Sequence, residues 1–190
     1  MNYYEAWQDI SIENQWFLSD PFDENGNEII GWNFTVGKEY TSSLPLPKYV
    51  KIRRAGKILP VSFGGLDVPY VNQKIKNALT EICASSIQFI PVFVKETCLQ
   101  YYIMNVLNLF DAASDSSEID YYTEKEWPEN SGGVKDILKI VLDKDKIPKS
   151  GNIFRLSIDP GEIYVREDIK NTIESVELNH GMSFNKILVL

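Results

Sequence analysis

The chain has 190 residues, with 19 Lys and Arg against 27 Asp and Glu and a net charge of −8; its pI is near 4.8. That balance argues against nucleic acid and membrane surfaces as partners, because both are anionic and recruit Lys and Arg. A chain this long buries roughly 70% of its unfolded surface, so a core can form without a disulfide or a bound metal, and residues 1–190 are expected to form a single domain.

The first forty residues are aromatic and irregular, with Trp7, Trp16, Phe17, Phe22, Trp32, Phe34 and Tyr40 among them. Pro21 to Asn27 reads as a turn-rich loop tightest at Asn25-Gly26. Glu28 to Val36 and Tyr49 to Arg53 alternate loosely and are expected as strands. Lys48, Lys51, Arg53, Arg54 and Lys57 form a basic cluster, of the kind that discourages edge-to-edge strand pairing, with ligand binding as the alternative use.

Asp67-Val68-Pro69 is expected to open a helix whose apolar stripe is Val71, Ile75, Leu79, Ile82 and Cys83, against Asn72, Lys76, Asn77 and Thr80. The blocks Ile87 to Val94 and Leu99 to Leu107 read as central strands, or as a strand and a strand-to-helix junction. Residues 112–133 are polar and glycine-containing and read as a long surface loop, a type usually functional or mobile. Val134 to Leu142 is apolar at mixed period. Asn152 to Ile158 reads as a strand, Asp159 to Glu162 as a turn and Ile163 to Val165 as a short strand. Arg166 to Leu178 reads as an amphipathic helix with carboxylates at its positive end, ended by Gly181. Met182 to Leu190 closes the chain as a strand. The fold class is α+β: a mixed, mainly antiparallel sheet with two or three helices.

Catalytic and metal signatures are sparse. His180 is the sole histidine and is placed where it would cap a helix end. Cys83 and Cys98 lie in no metal-ligand spacing and read as reduced core or near-core residues. No phosphate-binding loop accompanies Gly64-Gly65 or Gly132-Gly133, and the acidic segment lacks the spacing of a calcium loop. No catalytic residue, cofactor or metal site is assigned. Met1 to Glu5 shows neither the basic nor the apolar region of a secretory signal, so a cytoplasmic location is expected.

The charge is concentrated. Between 111 and 136 stand eight carboxylates and two lysines, a local balance of −6 within the net −8. Tyr121, Tyr122 and Trp127 sit inside this segment. Crowded like charges gain nothing for folding and read as a surface meant for a basic partner, with aromatics of the type that anchor interfaces. The expected partner-binding residues are Asp115, Glu118, Asp120, Tyr121, Tyr122, Glu124, Glu126, Trp127 and Glu129.

The succession Asp67-Val68-Pro69, Phe89-Ile90-Pro91-Val92, Tyr102-Ile103-Met104-Asn105-Val106, Ile153-Phe154-Arg155-Leu156 and Gly181-Met182-Ser183-Phe184 resembles immunity protein family 11 of bacterial polymorphic toxin systems. The likeness covers residues 60–190 and is looser before them, dividing the chain into an aromatic N-terminal region, 1–60, and a family-like core, 61–190. It implies a cytoplasmic protein that binds and blocks a cognate toxin, often a nuclease, and that is not itself an enzyme. Its motif residues read as scaffold, with Arg155 holding a buried carboxylate. The oligomeric state is not legible.

Two other classes make contrasting demands on the structure. A small hydrolase-type enzyme requires a deep pocket with two convergent acids of displaced pKa. A ligand-binding regulator requires an apolar pocket lined by the N-terminal aromatics.

Overall fold

The computed structural model describes residues 1–65, 68–177 and 179–190. The elements are β1 (Tyr3–Gln8), β2 (Phe17–Leu18), β3 (Tyr49–Val50), β4 (Ile52–Arg54), β5 (Val61–Phe63), β6 (Pro69–Val71), α1 (Gln73–Cys83), β7 (Ile87–Val94), β8 (Gln100–Val106) and β9 (Leu109–Phe110). They continue with β10 (Glu118–Tyr121), β11 (Val134–Lys139), β12 (Val141–Leu142), β13 (Ile153–Leu156), β14 (Asp159–Arg166), α2 (Glu167–Val176) and β15 (Met182–Val189). The class is α+β, with far more strand than helix.

Two larger sheets carry the fold, ordered β3-β7-β8-β6-β5 and β12-β15-β1-β14-β13-β9. Most pairs are antiparallel; β3/β7, β9/β13 and β12/β15 are parallel. Ile75, Leu79 and Cys83 of α1 and Ile169 and Ile173 of α2 join Met104 and Val106 of one sheet and Ile153, Ile163 and Val165 of the other in one buried cluster. The two helices therefore bridge the sheets. A backbone bond adds a second tie: Val61 N–H donates to His180 O at 2.8 Å.

Each sheet also buries its other face. Ile103, Val92 and Tyr70 of the five-stranded sheet pack against Trp16, Phe34 and Tyr40. Tyr3, Phe154 and Tyr164 of the six-stranded sheet pack against Ala112, Ile140, Leu142 and Ile147. Burial on both faces explains why Tyr101 to Val106 is apolar almost throughout instead of alternating.

Trp16, Phe34 and Tyr40 thus fill core, whereas Trp32 is half exposed, so the N-terminal aromatics do not converge on one apolar pocket. The basic cluster lies over them: Lys51 Nζ is 3.8 Å from the Phe22 ring centre and the Arg54 guanidinium 4.9 Å from that of Phe17, while Arg53 pairs with Glu28 at 3.4 Å.

Several expected elements differ. Glu28 to Val36 is not a strand: Glu28 forms an isolated bridge with Phe22, and Gly31–Phe34 is a 3-10 turn. A Cβ on Gly31 would lie 2.8 Å from Gly65 O, so the chain turns here at a close backbone approach. The first helix starts at Gln73, and Pro69–Val71 before it is a strand; Asp67 lies outside the described residues. Asn72 caps the helix, its Oδ1 accepting the Ile75 N–H at 3.0 Å. Ile82, assigned to the apolar stripe, is 40% exposed.

The turn expected at Asp159 to Glu162 falls earlier, because Leu156 and Asp159 are already paired. Fully buried Arg155 donates to the carbonyls of Pro160 and Gly161, which holds that end of β14 inward. The second helix ends at Val176, before His180; Leu178 lies outside the described residues. His180 caps no helix: its Nδ1 accepts the Met182 N–H at 3.2 Å. Cys83 is buried and its thiol is pushed up to about 12, chiefly by desolvation. Cys98 is exposed in the β7–β8 turn, at φ +57°, and is not a core residue.

Candidate functional site

The acidic segment is a hairpin where the sequence reads as a loop. β10 and β11 pair antiparallel with two irregularities, and Ile119 stands opposite Ile137. Those two isoleucines turn toward the outer face of the six-stranded sheet and pack beside Ile140 and Ile158. One apolar pair thus anchors the hairpin, and most of its other residues are exposed.

Every carboxylate of the candidate set is exposed. Asp120 stands directly opposite Asp136 across the two strands. Glu118 pairs with Lys139 at 3.7 Å. Asp115 lies at the base of the hairpin, in a recess of about 420 Å³ that Asp111, Tyr121 and Lys146 also line. Glu124 sits in the tip, and Glu129 follows in a 3-10 turn, Pro128–Asn130.

The tip is ordered by local bonds. Tyr122 exchanges backbone hydrogen bonds with Gly132 and Gly133, and the N–H groups of Glu126 and Trp127 donate to Thr123 O. Glu126 Oε2 accepts from Thr123 N–H at 3.1 Å and Oγ1 at 2.9 Å, and its other oxygen pairs with Lys135. The hydrogen bond from Lys135, backed by those from Thr123, pulls the Glu126 carboxyl down to about 2.

Tyr122 and Trp127 meet edge to face, their ring centres 5.1 Å apart at 84°. Trp127 nevertheless remains 47% exposed, and Tyr121 48% exposed. Two large aromatic surfaces therefore stand in solvent among carboxylates, on a backbone held by its own turn.

The structure adds a feature that sequence reasoning misses. Between β11 and β15 runs a groove of about 840 Å³ whose lining includes Glu5, Trp7, Asp159, Glu162 and Tyr164. Glu5 is half-buried; burial raises its pKa, and the Tyr164 hydroxyl donates to it at 3.3 Å. The alternation Tyr3, Glu5, Trp7 was the available signal, since it puts all three on one face of a strand. Among the described residues no group of three His, Cys, Asp or Glu side chains is placed to hold a metal ion.

Comparison with known proteins gives one result of weight. The model of the immunity protein family (Imm11) matches residues 9–189. The chain belongs to the immunity protein family Imm11. The match takes in the N-terminal region too, where the quoted motifs placed the likeness only from about residue 60. No curated protein matches the chain. Imm11 membership points to an immunity function and to an inhibitor's role, in place of catalysis. No helix among the described residues is long and apolar enough to cross a membrane.

Proposed function

We propose that this Imm11 protein binds a cognate toxin directly and neutralises it, using the β10–β11 hairpin as its contact surface. Asp115, Glu118, Asp120, Glu124, Glu126 and Glu129 meet a basic toxin surface, and Tyr121, Tyr122 and Trp127 anchor the contact. The observation that carries this reading is the exposure of Tyr121 and Trp127 amid carboxylates on a self-braced hairpin. Exposed charge of one sign raises association rates ~10- to 1,000-fold, while aromatic anchors supply lasting affinity.

A toxin that acts on nucleic acid carries the required basic surface, and a nuclease is the partner class proposed. Encounter takes place in the cytoplasm, the inhibitor acts as one domain, and no cofactor is needed. The test is co-expression with the toxin encoded beside this chain, followed by the association rate of the purified pair at rising salt. The expected result is protected cells and a rate that falls steeply between low and physiological ionic strength. A killed culture, or a rate indifferent to salt, contradicts it.

A further inference from the structure

β15 runs for eight residues, yet on the side away from β1 it pairs, among the described residues, only through Leu188 and Val189, with β12. The direction of its backbone groups follows from two bonds and the two-residue period of a strand. The Leu190 N–H reaches Leu142 O on the β12 side, whereas Gly181 O accepts the Asp9 N–H on the β1 side. Even-numbered residues therefore face β12. Phe184 and Lys186 turn their N–H and C=O groups outward beyond the point where β12 stops pairing.

β11 pairs with β10 along one edge and flanks a groove that Lys186 also lines. Seven consecutive residues, Val134 to Ile140, line that groove. β11, whose alternation two bulges interrupt, and β15 flank the space and run in the same direction, because β11 leads into β12 and β12 is parallel to β15. Glu5, Asp136 and Asp159 line it as well. Of its lysines, Lys135 and Lys139 are engaged by Glu126 and Glu118, which leaves Lys186.

We propose, resting on the toxin-binding reading, that this groove takes an extended Lys- or Arg-bearing segment of the toxin as an added β-strand. Open strand edges are templates for pairing. Main-chain bonds to Phe184 and Lys186 give affinity, and basic side chains on the groove side reach Asp136 on β11 and Glu5 on β1, the strand next to β15, which sets specificity.

The test compares amide hydrogen exchange of this chain alone and bound to the toxin domain encoded beside it, with the toxin's active site inactivated. The Phe184 and Lys186 amides should slow by ~10-fold or more in the complex. In parallel, Lys186→Pro removes the outward N–H at an edge position where Pro is tolerated, while Lys186→Ala removes only the charge. Toxin affinity should fall ~10-fold with Pro and by no more than ~3-fold with Ala. A complex that forms with both amides unchanged overturns the inference, as do equal affinities of the two variants or protection that arises from edge pairing of two copies of this chain. Should Lys186→Pro fail to fold, the exchange data decide alone. A wild-type chain that binds no toxin sinks the reading beneath the inference, a distinguishable result.

Discussion

Asp120 and Asp136 stand directly opposite each other across the β10–β11 hairpin, in the position where like charges oppose strand pairing. The hairpin keeps them at a cost of some tenths of a kcal/mol. Asp136→Asn retains the Oδ1 that accepts the Ile137 N–H at 2.9 Å and removes the repulsion. The variant should unfold at equal or slightly higher denaturant than wild type, by ~0.2–1 kcal/mol, yet associate with toxin more slowly. Stopped-flow association beside a urea titration checks both halves.

The Glu126 clasp gives the tip an acid limit. Its pKa is depressed from the usual 4.5 to about 2, so its contribution to order is complete above the unfolded value and is lost as pH falls through about 2. The Glu126 carboxyl should titrate near 2 by NMR, and the Thr123 amide should lose its native shift in the same step. Glu126→Gln should show tip disorder already at neutral pH, with the core unaffected.

His180 titrates on the other side of that window. Burial lowers its pKa below 6.5, and Nδ1 must be unprotonated to accept the Met182 N–H. A depressed histidine pKa means that the stabilising contribution is present above 6.5 and is lost as pH falls through the folded value. As the sole histidine, its ring protons report alone, and their midpoint should lie below 6.5.

Gly181 links the sheets at a backbone angle that side chains avoid. Its φ is +98°, and an added Cβ would lie 2.2 Å from Val61 O. Gly181→Ala should therefore destabilise by ~2 kcal/mol or more, lowering Tm by ~5 °C or more in a chain of this size. Thermal unfolding measures it directly.

Much of the fold is legible where burial is strong and local. Ile75, Leu79 and Cys83 declare α1, and the apolar run Tyr101 to Val106 declares a strand buried on both faces. The hairpin is not legible, because its core-facing set is one cross-strand pair, Ile119 and Ile137, too sparse for periodicity. Asn72 reads as a polar-face residue because a cap is defined by where the helix starts, and Val71 extends the apolar stripe backward across that start. Trp32 and Phe34 imitate strand alternation although Gly31 turns the chain through contact with a distant segment. The charge and aromatic content of the candidate surface can be read from composition. The groove beside it cannot, since Glu5 and Asp159 are brought together only by the pairing of β1 with β14.

On the proposed function, Tyr121, Tyr122 and Trp127 anchor a toxin to this hairpin. The most direct test is the toxin affinity of the variant carrying all three as Ala, by calorimetry on a chain whose Tm shows it folded. The expected loss is ~100-fold or more, the scale of aromatic anchors at interfaces. An affinity within about threefold of wild type would contradict it and place the contact elsewhere on the molecule.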